Sequence, residues 1–245
     1  MGWIMWNGIS SDDMGLVVER MPYRSRAKLR AQEYIVPGRS GVLHTWDNTH
    51  EMITLKILLN LMQSGQEEQI NSWLAGRGTL VSSDYPSRCW RGIILQEVSW
   101  TRYRPFDHPY DSISVMIDVD PYMYELNPSH SVLTAASSIT GFGTLNANPL
   151  LAISGTGTTA EPGTGALTVG DAVVNVSGLV TGTPLYVDCE SKVAYTMDDG
   201  ETVSANGLVE ITDNEWPVLE YFDTTAVSWT GDITGVDIRH NWRWL

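Results

Sequence analysis

The chain has 245 residues, of which 42% are hydrophobic, and its 29 acidic and 15 basic side chains give a formal net charge of −14. That balance excludes a protein whose whole surface clamps nucleic acid, and the apolar share excludes wholesale disorder. The charge is unevenly placed: residues 1–125 carry 12 basic and 15 acidic side chains, and residues 126–245 carry 3 and 14, a split that predicts two domains with different surfaces.

The opening MGWIMWNGIS has no basic start, no long apolar run and no small-residue cleavage site, so no secretory signal is expected. Trp6 stands where a myristoylation sequence needs Ser or Thr. No stretch approaches the roughly 18–20 apolar residues of a membrane helix, so no membrane partner is expected.

Next comes a basic run. Arg24, Arg26, Lys28 and Arg30 are spaced by two, with Arg20 before them and Arg39 after. On a strand they would form one cationic stripe. Such a stripe suits an acidic partner, either nucleic acid or the acidic half of a neighbouring subunit, or else a solvated face with counter-charges nearby.

Alternation with period two dominates the rest. Ile53, Leu55, Ile57 and Leu59 share one face of a predicted strand, as do Ile113, Val115, Ile117 and Val119. Between them, Ser64 to Ala75 reads as a helix, with Ser64 and Glu67 as a capping box, Ile70, Trp73 and Leu74 on one face, and Gly76 ending it. Leu126 to His130, with Pro128, reads as a domain junction. Beyond it the predicted strands pair Leu185 with Val187 and Cys189, then Val193 with Tyr195 and Met197, Val209 with Ile211, Val227 with Trp229, and Val236 with Ile238. Asp199-Gly200 is a hairpin-turn pair. Short strands at this spacing predict antiparallel sandwiches.

Catalytic and cofactor motifs are weak throughout. Gly155-Thr156-Gly157-Thr158-Thr159-Ala160 spells a dinucleotide fingerprint, but Glu161-Pro162-Gly163 follows where a helix should open. His44, His50, His108, His130 and His240 have no zinc-protease spacing and read as exposed loop residues, and Cys89 and Cys189 have no zinc spacing. The two thiols are expected to be free. Asp188, Glu190, Asp198, Asp199 and Glu201 are a candidate calcium or glycosidase cluster, or an outward acidic face. Trp242 and Trp244 fit a core or a subunit interface better than a sugar contact. No enzyme activity, cofactor or metal is expected.

Several strings together resemble the distal tail proteins of long, non-contractile-tailed bacteriophages. They are Trp6-Asn7-Gly8-Ile9-Ser10-Ser11 with Gly15-Leu16-Val17-Val18, then Val36-Pro37-Gly38-Arg39-Ser40-Gly41-Val42-Leu43, the helix ending in Trp73-Leu74, and Asp120-Pro121-Tyr122. In the second half they are Asn148-Pro149-Leu150 to Gly157, Val187-Asp188-Cys189-Glu190 and Trp242-Arg243-Trp244-Leu245. Asp223-Thr224-Thr225 departs from the family's Gly-x-Asn turn, and the length leaves no room for the carbohydrate-binding insertion of some relatives.

The resemblance implies a mainly β, two-domain fold. Residues 1–126 would be a ring-forming β-sandwich with one helix and an extending hairpin. Residues 130–245 would be a galectin-like β-sandwich. Six copies would close a homo-hexameric adaptor ring in the virion tail tip. It would join the tail tube and tape-measure end to the hub and could carry receptor-binding proteins. Arg24, Arg26, Lys28, Arg30 and Arg39 are the candidate protein-interface residues, with no sequence-specific nucleic-acid binding. The alternative is a tail-tip module that binds host cell-wall saccharide.

Overall fold

The computed structural model describes residues 2–22, 25–62, 65–104 and 110–245, with only the backbone of Asp47 and Asn48. Its contacts form two compact units, Met1–Leu126 with Leu245, and Asn127–Trp244.

The first unit holds β1 (Ile4–Trp6), β2 (Ile9–Ser10), β3 (Leu16–Arg20), β4 (Leu29–Tyr34), β5 (Leu43–His50), β6 (Ile53–Leu61), α1 (Glu67–Trp73), β7 (Gly76–Ser82), β8 (Arg88–Ile94), β9 (Ser99–Tyr103) and β10 (Tyr110–Glu125). All its strands but β4 and β5 join one antiparallel sheet in the order β2-β1-β7-β8-β10-β6-β3, with β9 also on β10. The centre is the β6–β10 pair. Its register sets Ile113 opposite Leu59, Val115 opposite Ile57 and Ile117 opposite Leu55, and all six side chains are buried. Directly opposed β-branched and Leu side chains on one face are the unit of sheet stabilisation. The long β10 also pairs with β8, and that register slips between Val119 and Met123. Pro121 lies in the slip, where its missing N–H leaves no ladder bond unmade.

Helix α1 buries Ile70 and Trp73, and the Trp73 indole N–H donates to the Trp6 carbonyl at 3.0 Å. It is shorter than the sequence pattern predicts. Ser64 lies outside the described residues, and the N-cap is Gln66 with no side-chain cap. Glu67 still works at the helix start, accepting the Gly65 N–H at 3.1 Å. The helix stops at Leu74, and Gly76 follows at φ +71°.

The second unit holds β11 (His130–Leu133), β12 (Ser137–Thr140), β13 (Leu150–Gly155), β14 (Gly163–Val169), β15 (Ala172–Leu179), β16 (Leu185–Asp188), β17 (Val193–Asp198), β18 (Glu201–Ser204), β19 (Val209–Ile211), β20 (Thr224–Gly231) and β21 (Ile233–Arg239). One sheet runs β11-β21-β13-β16-β17-β18 and the other β12-β20-β14-β15-β19. Alternate side chains are buried in both: Leu151, Ile153, Leu185, Val187, Val236 and Ile238 from the first, and Leu167, Val169, Val174, Val176 and Val227 from the second. That is a β-sandwich core. Trp242 and Trp244 are buried too. Asp199 and Gly200, at φ +46° and +85°, make the tight turn between β17 and β18.

Strand β17 corrects one expectation. Its buried residue is Ala194, while Val193 and Met197 are exposed and Tyr195 is half-buried. Tyr195 lies directly opposite Tyr186, and the two rings stack at 5.1 Å. Opposed residues share a face, so Tyr195 follows Tyr186 to the outside.

Candidate interaction surface

Strands β4 and β5 form a separate two-stranded sheet, an arm that pairs with no other strand among the described residues. All six residues of β4 are exposed. At the far end the backbone turns through Val36-Pro37-Gly38-Arg39, where the Arg39 N–H donates to the Val36 carbonyl at 3.2 Å and Gly38 has φ +81°. Pro at the second position and a positive-φ Gly at the third are the requirements of a type II turn. The arm carries Tyr34, Ile35, Val36, Val42, Leu43 and Trp46 into solvent, with Ile35 83% exposed and Trp46 57% exposed. So many exposed large apolar side chains on one hairpin mark it as a candidate contact surface. Its base is held by a 3.2 Å contact between His50 Nδ1 and the Tyr122 hydroxyl, and by the Glu51 N–H donating to the Lys28 carbonyl at 2.8 Å.

The basic residues are placed on or beside this arm, though not as one strand face. Arg24 lies outside the described residues. Arg26 and Lys28 precede β4, which starts at Leu29, so only Arg30 is a strand residue. Both are exposed, and Lys28 Nζ approaches Glu51 at 3.9 Å. Ala27 between them is buried, which keeps their side chains outward. Arg30 lines a shallow groove of about 260 Å3 with Gln32, Thr45 and Trp46. Arg39 is exposed in the tip turn. Sequence reasoning found the charges and missed the apolar company they keep. The signal was Tyr34-Ile35-Val36 and Val42-Leu43 on either side of Pro37-Gly38.

Two of the strings singled out in the sequence resolve into backbone chemistry. Asn7 and Gly8, at φ +52° and +82°, make the two-residue turn from β1 to β2. The Asn7 side chain also accepts the Thr79 N–H at 3.0 Å and donates to the Arg77 carbonyl at 3.2 Å. Asp188 accepts the N–H groups of Glu190 and Ser191 at 2.9 and 3.2 Å and the Ser191 hydroxyl at 2.8 Å. That carboxylate is spent on an Asx turn.

Gly155 ends β13, which is antiparallel to both β16 and β21, so Gly155–Ala160 opens no helix for a dinucleotide. Among the described residues no group of three or more His, Cys, Asp or Glu is placed to hold a metal ion. Both cysteines are free and buried. Burial pushes the Cys89 thiol up, opposed by Arg91, and pushes Cys189 up to about 12, reinforced by the Asp188 charge. Both shifts disfavour the reactive thiolate.

His240 departs from the reading of the histidines as exposed loop residues. Its ring is buried between the hydroxyls of Ser129 at 3.1 Å and Ser131 at 3.0 Å. This ties the entry of β11 to the end of β21. No described helix is long and apolar enough to cross a membrane.

No protein-family model matches the chain, and no curated protein sequence does. Solved structures do. The Dit protein (gp 19.1) of SPP1, described as a paradigm of the hub adsorption apparatus in phages that infect Gram-positive bacteria, aligns over 100% of both chains with a TM-score of 0.76 and 16% identity. Chains of the phage p2 baseplate in its activated conformation, one with Sr and one with Ca, align over 98% and 97% of each chain with TM-scores of 0.50 and 8% identity. The chain therefore has the mainly β, two-domain fold of the phage Dit protein.

Proposed function

We propose that this chain is a non-enzymatic structural component of a phage tail tip, the subunit of a hexameric ring that joins the tail tube to the baseplate hub. The observation that carries the reading is the arm: a two-stranded hairpin with Ile35 83% exposed at its tip and Arg26, Lys28, Arg30 and Arg39 along it. A closed ring needs two different, complementary patches on each subunit. The arm is one, apolar with a basic rim, and an acidic surface on the next copy suits the other.

In this reading residues 1–126 form the ring, and residues 130–245 sit as a sandwich at its periphery. The tail tube protein, the tape-measure end and the hub protein are the axial partners, receptor-binding proteins are carried outside, and the working location is the virion. The strings shared with distal tail proteins support it, because those whose bonds are described above build turns and a strand slip rather than a catalytic site.

The test is mass by light scattering with electron microscopy of the full chain. A particle of six times the 27.2 kDa chain mass is expected. Ile35→Asp with Val36→Asp should release monomers, and so should replacing Arg24, Arg26, Lys28 and Arg30 by Ser at low protein concentration. If the quadruple variant keeps the wild-type mass, the basic residues have no part in the ring. A wild-type chain that is monomeric at every concentration, with no rings in micrographs, rejects self-assembly.

A further inference from the structure

In the second unit, a cleft of about 580 Å3 lies between the Gly170-Asp171 turn joining β14 to β15, the segment Glu215–Glu220 and the start of β20. That volume is inside the roughly 300–1,000 Å3 range of small-molecule sites. The walls are fixed by the backbone. Ala147 and Leu219 exchange N–H to carbonyl bonds at 2.9 Å in both directions, and the Glu220 N–H donates to the Thr225 hydroxyl at 3.1 Å. Buried Pro217 follows Trp216 and biases it to extended backbone. Gly170, at φ +59°, supplies the turn on the other side.

The lining has a definite chemistry. Trp216 is half-buried, and the carboxylates of Asp171, Glu215 and Glu220 are exposed. Asn146 accepts the Tyr221 N–H through Oδ1 at 3.3 Å, which leaves its NH2 group to donate. Among the described residues no Lys, Arg or His lines the cleft, and Arg243 reaches its edge by donating to the Asn146 carbonyl at 2.9 Å. An anionic ligand meets three like charges, and the Arg243 guanidinium beside the cleft is engaged with the Asn146 carbonyl. A lone cation meets carboxylates that solvent screens. An uncharged polyhydroxylated ring meets what it needs. Its C–H face packs on the indole, its hydroxyls donate to the carboxylates, and one accepts from the Asn146 amide.

We propose that this cleft binds an uncharged pyranose unit of a polysaccharide. The proposal goes beyond the ring reading and does not depend on it.

The experiment uses the full chain, with saturation-transfer NMR and calorimetric titration. The probes are glucose, galactose, rhamnose, N-acetylglucosamine and its tetramer, with glucuronate and glucosamine as charged controls. At least one neutral sugar should bind saturably, and glucuronate should not. Trp216→Ala should weaken binding about tenfold or more, and Trp216→Phe should stay within about threefold of wild type. If Trp216→Ala fails to fold, Asp171→Asn in the exposed turn should weaken binding at least about threefold with an unchanged melting temperature. No binding by any neutral sugar, wild-type binding by Trp216→Ala or by the Asp171→Asn substitute, or preference for glucosamine over every neutral sugar overturns the proposal.

Discussion

Asn7 holds three things at once: a positive φ, an acceptor for Thr79 and a donor for Arg77. Asn tolerates the left-handed region better than any residue with a bulkier or apolar Cβ substituent. Asn7→Ala should therefore cost about 1–3 kcal/mol, read as a loss of several degrees in melting temperature. Asn7→Asp, which keeps the acceptor and the turn, should cost less than half of that. A melting point within 1 °C of wild type for Asn7→Ala would show that the turn forms without the side chain. The Cys189 thiol makes a second test. Its folded pKa is raised to about 12, by burial first and by the Asp188 charge second. Above pH 9 the unfolded chain releases this proton while the folded chain keeps it, so the unfolded state binds fewer protons and stability falls as pH rises. Denaturant midpoints between pH 9 and about 12 should fall more steeply for the wild type than for Cys189→Ala. Parallel slopes would mean that the thiol titrates alike in both states.

At the scale of elements, the length of the alternation decided what could be read in advance. The nine residues of β6 and sixteen of β10 repeat their pattern enough to fix a face, and Leu55, Ile57, Leu59, Ile113, Val115 and Ile117 are buried as the pattern requires. In β17 the pattern misled. Val193, Tyr195 and Met197 look like a core face, yet small Ala194 fills the core, because pairing with Tyr186 sets the phase. That information lies in the partner strand. The basic run misled in a different way. Spacing by two fits a strand, but Arg26 and Lys28 lie ahead of β4, and nothing in their own sequence says where β4 begins. Gly92 illustrates a packing demand that pattern alone misses. A Cβ there would come within 2.9 Å of the Asp118 carbonyl oxygen and 2.8 Å of Val119 Cγ1, where β8 meets the slipped part of β10. The carbonyl belongs to the ladder and has little freedom to move. Gly92→Ala should destabilise the protein by about 1–3 kcal/mol through overpacking, measured by chemical denaturation. An unchanged midpoint would mean that β8 shifts freely against β10.

For the whole molecule, the total of −14 conceals its distribution. Twelve of the 15 basic residues precede position 126, and six of those twelve lie between Arg20 and Arg39. Charge of this kind steers approach and suppresses wrong contacts more than it adds affinity. The apolar arm supplies what charge cannot, area to remove from water on contact.

The isolation of that arm has a consequence for timing. A two-stranded ribbon without a third strand or a covering layer is marginally stable by itself. In the free chain its amides past the His50–Tyr122 anchor should exchange with deuterium far faster than those of β6 and β10, and in an assembled particle they should slow to match. Equal protection in both states would mean that the ribbon is rigid before it docks. With the ribbon loose, ordering it draws on the binding energy of whatever docks on it, so early encounters should be weak and short-lived. Only a contact that also fixes the ribbon should endure.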